Sequence, residues 1–134
     1  LSACVLDTDV VIAALDRRDA HHDAAARAVE RLARVETHLL LSAVNYAESL
    51  VRPAEDERTL RAAVDAIASL RIRVVSPDAV VARNAAKHRG LGISLADGFA
   101  LATAVAHDAT VASFDKRVRR ALRPAGLRLC PALG

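Results

Sequence analysis

The sequence predicts an α/β fold, a central, mostly parallel sheet of about five short strands with helices on both faces. Three observations predict it. Short apolar runs alternate with segments of helical period. Those runs are almost unbroken by polar residues, as strands covered on both faces are. With 134 residues, 53% of them hydrophobic, and no repeat, low-complexity tract or Gly/Ser/Pro-rich linker, the chain suits one domain with one core, spanning 1–134.

The elements follow in order. Residues 3–7 (ACVLD) read as the first strand. From Ala20 to Val35 the apolar residues Ala25, Ala28, Val29 and Leu32 form one stripe, with Arg27, Glu30, Arg31 and Arg34 mostly opposite, which predicts a helix. Residues 38–41 (HLLL) are a second strand. Ser42 is placed to cap a helix running to about Val51, and Pro53 breaks it. Between Glu55 and Leu70, Leu60, Ala63, Val64 and Ile67 share the inward face of another helix. Residues 72–75 (IRVV) are a strand, and Ser76-Pro77-Asp78 opens a helix ending near Gly90. Ser94 starts an almost wholly apolar helix to about His107. Residues 109–113 (ATVAS) are a strand, Asp115 opens a short basic helix, and 127–130 (LRLC) are a last strand.

Composition excludes little and permits much. Net charge is +3, and only Lys87 and Lys116 are lysines among the cations. Arginine suits bidentate phosphate contacts, but a high-GC genome enriches Arg and Ala whatever the function, so the charge permits a nucleic-acid substrate without showing one. Neither a membrane-length apolar run nor a signal-peptide pattern is found, which places the expected protein in the cytoplasm. Cys4 and Cys130 read as small buried hydrophobes in a reducing compartment, not as a disulfide. The five histidines have no metal or catalytic spacing.

Four acids carry the chemistry. Ligands of a parallel sheet bind beyond the carboxyl ends of its strands. Asp7 ends the first strand, Asp115 follows the strand 109–113, Asp97 sits in the first turn of the helix after Ser94, and Glu48 lies in the helix after the second strand. Each also has an ordinary structural explanation: helix caps for Asp7 and Asp115, a capping box with Ser94 for Asp97, a solvated helix position for Glu48. Their neighbours weigh against those explanations. Glu48 has surroundings that look partly buried, and Asp97 opens a helix with almost no polar face. Carboxylates gathered in one hollow raise one another's pKa, and a divalent cation removes that conflict. Hard oxygen ligands suit Mg²⁺ or Mn²⁺, and such an ion supports in-line displacement at phosphorus.

In order and spacing, VLDTDVVIAAL at 5–15, LLLSAVNYAESL at 39–50, ISLADGFALATA at 93–104 and TVASFDKRV at 110–118 resemble the PIN-domain nucleases, in particular the ribonuclease toxins of VapBC-type toxin–antitoxin pairs. The resemblance implies a single PIN-like domain in which Asp7, Glu48, Asp97 and Asp115 hold one or two Mg²⁺ or Mn²⁺ ions and form the catalytic set. It implies Thr8 and Ser113 as polar supports, an RNA substrate cut by a metal-activated water, a cognate VapB-type antitoxin and a homodimer. Two departures stand out. Asp9 occupies a place where the family more often has a small polar residue; it either caps the next helix, the favoured reading, or adds a supporting acid. Gly98 stands where Ala is common, through close backbone approach or through drift. Lys116, Arg117, Arg17 and Arg89, in or near loops and helix ends, are candidates for RNA phosphate contact.

Two alternatives remain open at this level. Asp7-Thr8-Asp9-Val10-Val11 also fits the signature of a haloacid-dehalogenase-like phosphotransferase, with Asp7 as nucleophile, although the chain is short for that family and leaves Glu48 without a task. A non-catalytic RNA-binding PIN-like module is the other.

Overall fold

The computed structural model describes residues 2–133; Leu1 and Gly134, the ends of the expected domain, lie outside the described residues. Four parallel strands form the sheet: β1 (Ala3–Leu6), β2 (His38–Ser42), β3 (Ile72–Val75) and β4 (Thr110–Ala112), in the order β3-β2-β1-β4. Val5 of the central strand β1 faces Leu40 of β2 on one side and Val111 of β4 on the other. Seven α-helices cover this sheet: α1 (Thr8–Leu15), α2 (His22–Arg34), α3 (Ala43–Leu50), α4 (Glu57–Ser69), α5 (Ala79–His88), α6 (Leu95–His107) and α7 (Lys116–Leu122).

The two-residue period of β1 explains the layers. Cys4 and Leu6 point to one face and pack with Val10, Val29 and Ile67 from α1, α2 and α4. Val5 points to the other face and meets Leu101, Val118 and Leu122 from α6 and α7. All three β1 residues are fully buried, and each buried branched side chain contributes about 1.5–3 kcal/mol. Because every strand runs the same way, the carboxyl ends of β1, β2 and β4 open on one edge.

Two expectations change, and one open reading is decided. The fifth strand, 127–130, forms only an isolated parallel bridge between Leu129 and Val111. Gly126, at a φ of 76°, turns the chain just before it, and Pro131 opens a 3₁₀ turn just after, leaving too little extended chain for a ladder. The segment after β1 forms a helix of its own, α1, and α2 begins at His22 rather than Ala20. Gly98 is explained by close approach: a Cβ there would stand 2.6 Å from the Ala85 carbonyl oxygen, where α6 crosses α5.

The two cysteines are free and fully buried, as expected, and are neighbours in the same core layer. The Cys130 thiol beside it, and then burial, push the Cys4 thiol up, so it stays protonated at neutral pH. Among the described residues, no helix is long and apolar enough to cross a membrane.

Candidate active site

Asp7 stands at the carboxyl end of β1 and is 2% exposed. It caps α1: Oδ1 accepts from the Thr8 backbone N–H at 2.9 Å, and Oδ2 accepts from the Ser113 hydroxyl at 2.8 Å. The strand places it rigidly, since Asp7 N–H also donates to the Ala112 carbonyl at 2.9 Å, tying β1 to β4. Desolvation pushes its carboxyl up to about 7; the charges of Asp9 and Asp97 push the same way, while the Ser113 and Thr8 donors oppose them.

Asp9 does not cap α1, correcting the favoured reading. It lies inside the first turn, and its Oδ2 accepts from the Phe114 backbone N–H at 3.0 Å, which holds the loop after β4 against α1. Its other oxygen, Oδ1, is buried with no hydrogen-bond partner. Burial raises its pKa too, and the charges of Asp115 and Asp97 add to that.

Asp97 and Ser94 form the reciprocal capping box that the sequence allowed: Ser94 Oγ accepts from Asp97 N–H at 3.1 Å, and Asp97 Oδ2 accepts from Ser94 N–H at 3.4 Å. Asp97 is half-buried rather than interior. Asp115 caps α7, its Oδ1 accepting from the Arg117 and Val118 N–H groups. So the ordinary explanations are correct for Asp7, Asp97 and Asp115, yet they exhaust only part of each site: Asp97 Oδ1 and Asp115 Oδ2 accept nothing among the described residues.

Glu48 is exposed, contrary to the partly buried surroundings expected of it. It nonetheless reaches the cluster. Thr8 Oγ1 donates to Glu48 Oε1 at 2.6 Å. The fully buried Asn45, one turn before Glu48 on α3, donates to Thr8 Oγ1 at 3.1 Å and to the Ala96 carbonyl, next to Asp97, at 3.2 Å. Asn45 thus ties α1, α3 and α6 together at the site. Sequence reasoning missed it. Its signal was the spacing Asn45-x-x-Glu48, which puts both on one helix face. Arg119 was missed as well: its Nε donates to the Ser113 carbonyl at 2.7 Å and braces the loop carrying Asp115.

The basic candidates divide. Lys116 and Arg117 are exposed beside Asp115, with Arg117 Nε 3.8 Å from its Oδ1. Arg17 is exposed in the turn after α1. Arg89 spends part of its guanidinium on the Ile93 carbonyl at 3.0 Å.

Among the described residues, no three His, Cys, Asp or Glu side chains stand close enough to cage a metal ion. The donor chemistry still fits a hard divalent cation. Mg²⁺ keeps several waters and takes one or two carboxylates rather than a closed protein cage. A buried Asp9 oxygen without a partner, and a buried Asp7 destabilised by two neighbouring acids with no ion pair of its own, are what an open cation site leaves behind.

A parallel α/β domain with a buried carboxylate at the end of its central strand, close enough to Asp9 and Asp97 to feel their charges, is the class that this geometry defines. The pattern of the PIN domain matches residues 4–123, and the chain belongs to that family. This sets aside the phosphotransferase reading. No curated protein sequence matches the chain. Among solved structures, VapBC2 from Rickettsia felis, bound to a DNA fragment from its promoter, is similar with a TM-score of 0.75 at 20% identity, over 96% of this chain and 97% of that one. FitAcB from Neisseria gonorrhoeae is similar with a TM-score of 0.70 at 22% identity, over 96% and 97%. VapC20 from Mycobacterium tuberculosis, a toxin that cleaves the sarcin–ricin loop, is similar with a TM-score of 0.70 at 19% identity, over 88% and 94%.

Proposed function

We propose that this protein is a Mg²⁺- or Mn²⁺-dependent endoribonuclease, the toxin of a type II toxin–antitoxin pair. One observation carries the reading: Asp7 is buried at the carboxyl end of β1, and desolvation, with the charges of Asp9 and Asp97, pushes its carboxyl up to about 7. Family membership and the toxin–antitoxin complexes among its structural relatives support it.

Asp7, Asp97 and Asp115 would hold the ion, with Glu48 completing the set from across the Thr8 hydroxyl. When bound, a divalent cation supplies Lewis-acid stabilisation at phosphorus and a water of lowered pKa. The protein's part is orientation. Ser113 and the Thr8 N–H fix both oxygens of Asp7. Thr8 holds Glu48 in place, and Asn45 holds Thr8, so the carboxylates are set before substrate arrives. Glu48, being exposed, is the acid best placed to orient an incoming water, and Lys116 beside Asp115 is placed to meet an RNA phosphate.

A cognate VapB-type antitoxin would cover this edge. A groove of about 970 Å³ runs from Glu48 between α1, α3 and α4, with Ile12, Leu15, Val51, Pro53, Ala63 and Ala66 in its walls. Val51 is 70% exposed there, an apolar surface suited to a partner segment. A homodimer belongs to the same proposal.

The test is cleavage of structured RNA by antitoxin-free protein, with Mg²⁺, with Mn²⁺ and with EDTA. Cleavage that needs the ion and is lost in Asp7→Asn supports the reading. RNA binding without cleavage would make the chain a non-catalytic PIN module, and equal cleavage by wild type and Asp7→Asn would remove the acidic site from the chemistry.

A further inference from the structure

A second feature opens from the same loop. Phe114 lies between Ser113 and Asp115, and its N–H holds Asp9. It lines a cleft of about 530 Å³ whose other wall is α2, with Arg27, Glu30, Arg31 and Arg34 along it and Leu133 also in the lining. The three arginines recur at four- and three-residue steps, so they form one row along the helix, about 5–6 Å apart. All three are exposed. Arg34 is paired to Glu30 at 2.7 Å, whereas Arg27 and Arg31 have no carboxylate partner among the described residues. Beside the cleft, the exposed His21 ring lies flat on Phe114, with centroids 4.3 Å apart and planes at 11°.

We propose that this cleft is a substrate subsite that binds the phosphates of single-stranded RNA flanking the scissile bond, with Arg27 and Arg31 as the binding residues. The inference rests on the nuclease reading and extends it. The row is spaced like the phosphates of an extended strand, and its single acid neighbour, Glu30, is paired to Arg34, which leaves Arg27 and Arg31 without a carboxylate partner among the described residues. Phe114 in the cleft wall belongs to the loop that carries Asp115 and braces Asp9. A strand lying in the cleft therefore leads past Phe114 to the acidic edge, and the outer face of His21 offers a ledge on which one base can stack. RNA is favoured over an acidic protein segment because Phe114, in the wall of the cleft, is the residue before Asp115 and holds Asp9 through its N–H, so the cleft adjoins the acids that a phosphodiester must reach.

The experiment measures binding of a labelled mixed-sequence single-stranded RNA, in EDTA so that nothing is cut, by anisotropy across a salt series. Wild type is compared with the double variant Arg27→Ala/Arg31→Ala and with a control pair on the exposed side of α4, Arg58→Ala/Arg61→Ala. The subsite predicts several-fold weaker binding by the first pair alone and a salt slope shallower by about 1.4, at about 0.7 for each lost phosphate contact. In Mg²⁺, the same variant raises KM for RNA and leaves kcat near wild type. An unchanged slope and KM in a folded variant overturns the subsite, as does an equal loss in the α4 control. Unaltered RNA binding with lost binding of an acidic peptide would assign the cleft to a protein instead. Failure of the nuclease reading looks different: Asp7→Asn would then cut RNA as wild type does, whatever the arginines do.

Discussion

Replacing Asp7 by Asn should stabilise the metal-free protein, although it removes the central acid of the site. The magnitude follows from the burial of Asp7. Its carboxyl goes from an ordinary 3.8 to about 7 in the folded protein, with desolvation as the main cause and Asp9 and Asp97 adding to it. A folded pKa above the unfolded one means that the folded state binds the extra proton, so stability is greatest below about pH 4 and is lost as pH rises through 7. At about 1.36 kcal/mol for each pKa unit, the shift costs the folded protein about 4 kcal/mol at pH 8, where Asp7 is ionised, and about 2 kcal/mol at pH 5, where folding must protonate it. Asparagine carries no charge and keeps an oxygen for the Thr8 N–H. Its amide must share Ser113 Oγ with the Asp115 N–H that already donates there at 3.1 Å, at a cost of about 1 kcal/mol. The net gain is about 3 kcal/mol at pH 8, or roughly 10 °C in Tm for a domain of this size, shrinking to about 1 kcal/mol at pH 5. Thermal melts of both proteins in EDTA between pH 5 and 8 measure it. A variant no more stable than wild type at pH 8, or a gap that ignores pH, would refute the reasoning. Adding Mn²⁺ should raise the wild-type Tm and close the gap, because the ion stabilises the ionised form.

The other predictions probe the supports. Gly98→Ala sets a methyl 2.6 Å from the Ala85 carbonyl; overpacking of about 1–3 kcal/mol should outweigh the gain of about 1 kcal/mol in helix propensity, and chemical denaturation will show the net loss. Asn45→Ala removes the shared donor to Thr8 and Ala96, so it should cost about 1–3 kcal/mol and lower kcat for RNA more than it raises KM. Thr8→Val leaves one N–H of the buried Asn45 without its acceptor, so it should cost about 1–3 kcal/mol and reduce cleavage by freeing Glu48. Both cysteines should resist a thiol reagent in the native protein and react at once in denaturant, as their full burial requires.

Much of this was legible in the sequence because two periods dominate it. The apolar run of β1 and the stripe Ala25, Ala28, Val29 and Leu32 on α2 are buried as those patterns predict. The acids were legible because each follows a strand or opens a helix, and parallel strands bring those ends together. The rest depends on contacts that local pattern does not encode. Asp9 looked like a cap because it precedes a helix, but Asp7 already fills that role, and the partner of Asp9 is a backbone N–H 105 residues away. Residues 127–130 had strand composition, and only the turns on either side show why they pair at a single residue. Gly98 was ambiguous until α5 supplied the carbonyl that it accommodates.

The central claim is that acids from β1, α6 and the loop after β4 share one divalent ion. Anomalous scattering from crystals grown with Mn²⁺ tests it most directly. The account predicts a peak at the strand edge within coordination distance of at least one oxygen of Asp7, Asp97 or Asp115, absent in Asp7→Asn crystals treated alike. Manganese elsewhere on the surface, or an acidic edge that stays empty at millimolar Mn²⁺, would contradict it.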